Sequence, residues 1–338
     1  MRRPRNPLRL CALAVLLGSL VLASGGFTQA AFVGTASNPG NRVSAASDFR
    51  PPSVSASVIA KSAGGTPSFI KQGGTYHVYA NVSDTGNPAS GVGSVTANVS
   101  NVTTGQTAAA LSSGSFSVGG ISYAFRSAAL TANAVLSEGL KTYTVSATDN
   151  ASNASGPIGG FSVTVDNTAP GGTNVQTANG AATAGTAEQN DTITYTFSEP
   201  IDPASVLAGW TGSSTSVVVR LINGGTLPVT ADTFQIWNAA NNAQLPLGTV
   251  TLPSGTYVGG LAGGEVASFG ASGTASTMAM SGSTITITLG TAGGSAASLG
   301  LLAGAMSWVP SATATDRAGN ATSTATVAES TPPNDVEF

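Results

Sequence analysis

His77 is the only histidine in the 338 residues. Nucleophilic chemistry of the Ser-His-Asp kind would need that one imidazole held in a pocket by a carboxylate. Its setting, Thr75-Tyr76-His77-Val78-Tyr79-Ala80-Asn81-Val82, alternates and places Tyr76, Val78, Ala80 and Val82 on one face. His77 then lies on the opposite face, as a solvated strand residue. Glu199 and Asp202 are the next candidates, since paired carboxylates can act as acid and base. Glycosidase pairs normally come from separate strands about 5–9 Å apart, whereas Pro200 and Pro203 make this segment a strand end entering a rigid turn. Zinc would find only carboxylates and one histidine. Calcium suits the remaining groups better, because hard cations take several oxygen ligands. Asp84, Asp149 and Asp166 stand in turn or joint segments, with Asn150 and Asn167 beside the last two. Asp and Asn are equally the default turn residues, and the spacing matches no EF-hand loop, so both readings stay open. Trp210, Trp237 and Trp308 all fall in the second half of the chain. Aromatics mostly fill sandwich cores; Trp237 follows the inward-facing Ile236, which makes it the best exposed candidate for stacking on a sugar.

The first thirty residues concern export. Arg2, Arg3, Arg5 and Arg9 precede an apolar run from Leu10 to Leu22, and Thr28-Gln29-Ala30 fits cleavage after Ala30. The run is shorter than the ~20 residues of a spanning helix. Removing 1–30 leaves eight basic against fifteen acidic residues, a net charge of −7, which disfavours nucleic acid or anionic lipid as partners. Cys11, the only cysteine, leaves with the signal, and with it any disulfide or cysteine metal site.

Charged residues make up 8% of the chain against about 25% in typical globular domains. Thr and Val favour pleated strands, and Gly, Asn and Ser supply turns. Short alternating runs recur at Tyr143/Val145/Ala147, Phe161/Val163/Val165, Ile193/Tyr195/Phe197, Phe234/Ile236 and Ile285/Ile287/Leu289. One-face alternation means antiparallel sheets, packed in pairs as sandwiches. Ser146-Ala147-Thr148-Asp149-Asn150-Ala151-Ser152-Asn153-Ala154-Ser155 returns as Thr313-Ala314-Thr315-Asp316-Arg317-Ala318-Gly319-Asn320-Ala321-Thr322, reading as the closing hairpin of two modules. The expectation is an all-β chain of two tandem antiparallel sandwiches behind an N-terminal signal helix. Its parts are a signal peptide at 1–30, an extension at 31–52, a first domain at 53–167 and a second at 168–338. The second carries a Gly/Ala-rich loop at Gly259 to Gly282, read as a long loop between strands or an elaborated edge.

Three segments carry a resemblance. Ala147 to Ser155 with Phe161 to Pro170, Val82 to Val95, and Ile193 to Val206 resemble bacterial Ig-like modules of surface-layer and repeat proteins. This implies Ig-like sandwiches, and calcium at joints of the kind that stiffens some such adhesin repeats. Gly25 to Asp48 is similar to the processing region of camelysin-type biofilm fibre proteins, with Gln29 and Val33-Gly34 where that family often has tyrosine and an acidic residue. It implies export; the rest of the chain lacks that family's own pattern. The functional expectation is a secreted or wall-associated structural or adhesive spacer without catalysis. Its partners would be cell-wall components, extracellular matrix components or other proteins, with no membrane contact after cleavage. The polar tail Pro332 to Phe338 carries no sortase motif. A carbohydrate-binding module using Trp237, or a fibre subunit pairing through Ala31 to Arg50, are the alternatives.

Overall fold

The computed structural model describes residues 48–180, 183–225, 230–260, 263–295, 297–298, 300, 302–330 and 336–338. The expected signal peptide, its expected cleavage site and most of the expected 31–52 extension lie outside the described residues.

The period-two stretches become strands. In the first unit these are β1 (Ser53–Lys61), β2 (Phe69–Ile70), β3 (Thr75–Ser83), β4 (Val92–Asn98), β5 (Ala109–Val118), β6 (Ile121–Ser127), β7 (Leu130–Thr131), β8 (Gly139–Asp149) and β9 (Ile158–Val165). They connect as β1-β3-β6-β5-β4-β8-β9-β2, with β7 beside β3. The path doubles back on itself, so that Ile59, Tyr76, Val78 and Ala80 meet Val95, Tyr143, Val145 and Val163 in one core. All pairings are antiparallel except β2 with β9, which run parallel. The long strand β5 pairs with β4 at its start and β6 along its length, with a register shift between Ser113 and Phe116. Such a bulge lets one strand bend between layers.

The second unit begins at β10 (Gly172–Ala178) and β11 (Thr192–Phe197), followed by one helical turn, α1 (Pro203–Val206). Then come β12 (Thr215–Ile222), β13 (Thr233–Asn238), β14 (Thr249–Thr251), β15 (Val266–Phe269), β16 (Ser276–Ser281), β17 (Thr284–Thr288), β18 (Ala292–Gly294), β19 (Ser307–Val309) and β20 (Val327–Ala328). The order is β10-β11-β17-β16-β12-β13-β14-β19-β20, with β15 between β12 and β18. The core gathers Ile193, Tyr195, Phe234, Ile236, Ile285 and Ile287 around Trp308, which is 0% exposed. Tyr195 and Phe197 each meet the Trp308 ring edge-on at 5.0 Å, the geometry that the ring quadrupoles favour. Together the two units make an all-β molecule of two sandwich-like bodies.

Two expectations need correction. The Gly/Ala-rich stretch from Gly259 to Gly282 is not a long loop: it contains β15 and β16, and Ala267, Phe269 and Met278 are buried in the core. Small residues disguised the pattern, because alanine and glycine give alternation little contrast. The end of the chain is not simply a polar tail either. Phe338 is buried, with Phe234 and Tyr257 each at 6.3 Å, and Glu337 accepts a hydrogen bond from Thr177 at 2.5 Å.

Candidate metal centres

The repeat segments fold alike. In the first unit Thr148 bridges Ala154, and in the second Thr315 bridges Ala321. Between each pair of bridged residues a turn starts at an aspartate and closes on an asparagine four residues later. Asn153 donates its backbone N–H to Asp149 Oδ1 and its Nδ2 to Oδ2, both at 2.7 Å. Asn320 does the same to Asp316, again at 2.7 Å for both. Each asparagine amide also reaches the segment that leads into its own unit. Asn153 Nδ2 donates to the carbonyl of Asp48 at 3.2 Å, and Asn320 Nδ2 to the carbonyl of Asp166 at 2.9 Å.

Two carboxylate triads result. Asp48, Asp84 and Asp149 can present ligand oxygens within 4.8 Å of one another, and so can Asp166, Glu199 and Asp316. The three aspartates named as calcium candidates are divided: Asp84 and Asp149 meet in the first triad, while Asp166 belongs to the second. Chain topology separates them, because Asp149 ends β8 at one pole and Asp166 follows β9 at the other. Asp48, Glu199 and Asp316 are the triad members that the sequence reading did not name as metal candidates. A usable signal exists: Asp48 and Asp166 each precede a proline by four residues, Pro52 and Pro170, one or two residues before the first strand of a unit. Asp316 was visible in the repeat itself.

The triads differ electrostatically. In the first, backbone N–H groups already serve the carboxylates: Arg50 and Ser90 donate to Asp48 at 2.9 Å, Gly86 and Gly91 to Asp84 at 3.1 and 2.7 Å. The bonds from Arg50 and Ser90 hold the Asp48 carboxyl below its usual pKa. Gly86 packs closely here: a Cβ would sit 2.5 Å from Asp48 Oδ1, so the carboxylate would have to shift. In the second triad Glu199 Oε1 is buried with no hydrogen-bond partner among the described residues. Burial, followed by the charges of Asp166 and Asp316, raises Glu199 to about 7. Three crowded carboxylates with one orphaned oxygen call for a proton or a cation to relieve their mutual repulsion. The all-oxygen donor set fits a hard divalent cation such as calcium, with turn carbonyls and water completing the shell. A cation held there would offset most of the cluster's charge and tie the linker at Asp166 to β11's end and the Asp316 turn.

That second triad lies at the junction of the two units, which is clamped independently. Lys61 donates to the carbonyl of Arg317, and Lys71 to that of Gly319 at 2.6 Å. Lys61 also pairs with Asp202 at 3.5 Å, and the Thr66 N–H donates to Asp202 Oδ2 at 3.0 Å. Asp202 is thus a helix cap and junction latch, bonded to Ala204 N at the start of α1. It forms no pair with Glu199 across a cleft.

The other candidates resolve into packing. His77 accepts or donates at Nδ1 with the Ser127 carbonyl at 2.9 Å, and its ring meets Tyr79 edge-on at 6.0 Å. It is half-buried, more covered than a solvated strand residue, and belongs to no acidic cluster among the described residues. Trp210 and Trp308 are core residues, their indole N–H groups donating to the carbonyls of Ser213 and Leu247. Trp237 lies outside the core, as alternation requires, but the Arg220 guanidinium covers one face of its ring at 3.6 Å. No protein-family model matches this chain, and no curated protein matches it either.

Proposed function

We propose that this chain is an exported, non-catalytic spacer or adhesive protein of two Ig-like modules, whose junction is stiffened by a divalent cation, calcium by its chemistry. It acts outside the cell or on the wall, presenting its surface to wall, matrix or protein partners. The observation carrying this reading is the repetition: the same carboxylate-bearing pole, gripping the same kind of incoming linker, occurs at the start of both units. A device repeated at every entry point suits modules stacked end to end, and one of the two copies sits where flexing would occur. The N-terminal signal pattern and the Ig-like resemblance supply export and module type. Small-angle scattering with calcium and with chelator tests the mechanical part, while fractionation of producing cells tests the location. Calcium is expected to narrow the interdomain distance distribution. Identical profiles in both conditions, or protein confined to the cytosol, would defeat the proposal.

A further inference from the structure

The outer face of the second unit carries a guanidinium that nothing in the spacer reading uses. On β12 the side chains of Val217, Val219 and Leu221 enter the core, so Val218 and Arg220 point the other way. Val218 stands opposite Trp237, and Arg220 opposite Gln235. Val218 is 0% exposed even on this outer face, so it and the Trp237 indole opposite form a packed patch. Arg220 lies on that patch with its guanidinium 3.6 Å from the Trp237 ring centre. Asn241 holds it from the side, taking Nε on its Oδ1 and Nη2 on its backbone carbonyl, both at 2.8 Å. Asn241 reaches this position through a left-handed backbone, φ 55°, which asparagine tolerates better than most residues.

Stacking and two hydrogen bonds fix the guanidinium plane but satisfy only part of it. Of its five N–H groups, those on Nη1 have no partner among the described residues, and Nη1 is not a buried atom. No carboxylate pairs with it; Lys61–Asp202 is the one ion pair among the described residues. An immobilised guanidinium with an open edge is the arrangement that accepts a carboxylate in two parallel bonds. Around it the side chains are neutral: Ser268 stands opposite it on β15, and the rest are amides. Gln235 Oε1 accepts from Trp237 Nε1 at 3.3 Å, and Asn238 and Asn242 bond each other at 2.8 Å in the adjacent exposed turn. Amides that both donate and accept suit hydroxyl groups. A peptide ligand would look for an unpaired strand edge, and β13 has neighbours on both sides.

We propose that Arg220, with Gln235 and the Asn241–Asn242 turn, is a subsite for an acidic saccharide, a sugar unit bearing a carboxylate such as a uronic acid. The carboxylate sits on the open guanidinium edge and the ring hydroxyls on the amides. Trp237 serves as the floor that positions Arg220, not as the stacking platform itself. The inference is independent of the cation at the junction and of the spacer role.

The test is a titration of the isotope-labelled mature chain with glucuronate, glucuronamide and acetate, followed by NMR at the Trp237 indole and Arg220 Nε. A Kd of about 1 mM is the range for one charged contact on a small ligand. Glucuronate is expected to shift both signals, with glucuronamide at least about tenfold weaker because the charge-assisted pair is lost. Arg220→Lys is expected to weaken glucuronate by a similar factor, since an ammonium cannot form the fork. Equal binding of glucuronate and glucuronamide overturns the role of the guanidinium, and equal binding of acetate reduces the site to an anion contact without sugar recognition. Absence of glucuronate binding overturns the proposal outright. The glucuronate and glucuronamide comparison decides it on the unmodified protein, even if the Arg220 variant does not fold.

Discussion

Glu199→Gln separates the two ways in which the junction triad can be neutralised. In chelator, an ionised Glu199 faces Asp166 and Asp316 within 4.8 Å. At that outer separation one such pair costs about 3.5 kcal/mol at an effective dielectric of 20, and more when closer, cut to the order of 1 kcal/mol where the cluster meets solvent. The amide removes that repulsion and breaks no hydrogen bond at Oε1, which has none among the described residues. The chelated variant is therefore expected to melt higher than wild type, by roughly 2–4 °C for a unit of this size. Calcium reverses the order. With an affinity of about 10⁻⁴ M, typical of extracellular sites, about 2 mM calcium stabilises the wild type by roughly 1.8 kcal/mol. That corresponds to about 4–7 °C in the transition of the second unit, and the variant loses most of it. Differential scanning calorimetry at pH 7.5 on both proteins, with and without calcium, reads all four values; the two units are analysed as separate transitions. A wild type indifferent to calcium, or a variant that responds as wild type does, would refute the assignment of the triad as a cation site.

In chelator the wild type also acquires a pH dependence of definite sign. Glu199 is raised to about 7 from an ordinary 4.5, so its contribution is whole below about 4.5 and is lost as pH climbs through about 7. Thermal melts between pH 5 and 8 should show that decline in the second unit, and Glu199→Gln should flatten it. Replacing Lys61 and Lys71 together by alanine removes the two lysine bonds and the one ion pair from the junction. Scattering should then report a broader interdomain distribution while each unit keeps its own melting transition; an unchanged distribution would mean the lysines are incidental. Trp308→Ala empties the centre of the second core and strands the Leu247 carbonyl, so a loss of about 3–5 kcal/mol is expected in that unit alone by denaturant titration.

The strands were readable because each unit keeps one face dry. Tyr76, Val78, Ala80 and Val82 are all buried on β3, and Ile193, Tyr195 and Phe197 on β11, as alternation requires. The same rule hid β15 and β16, where Ala267, Ser276 and Ala279 offer too little contrast between faces. Asp191 and Asp232 show why carboxylates resist assignment from sequence. Both are 0% exposed, yet Asp232 is satisfied by the N–H groups of Gly224, Tyr257 and Val258, and Asp191 by those of Gly180 and Glu188. Apart from the proline four residues after Asp166 and the repeat that contains Asp316, nothing in the local sequence distinguishes these loop-stabilising aspartates from Asp316 or Asp166. The difference lies in what approaches from elsewhere in the chain.

Local pattern alone determined the class of the fold, the period of its strands and the two homologous turns at Asp149 and Asp316. Those depend on side-chain alternation and on hydrogen bonds spanning four residues, both short-range. Tertiary structure decided which carboxylates meet. Asp48 joins Asp84 and Asp149, and Asp166 joins Glu199 and Asp316, across separations that only the stacking of whole sheets can close. Electrostatic energy depends on distance in space, and distance along the chain carries almost none of that information once strands fold back on one another.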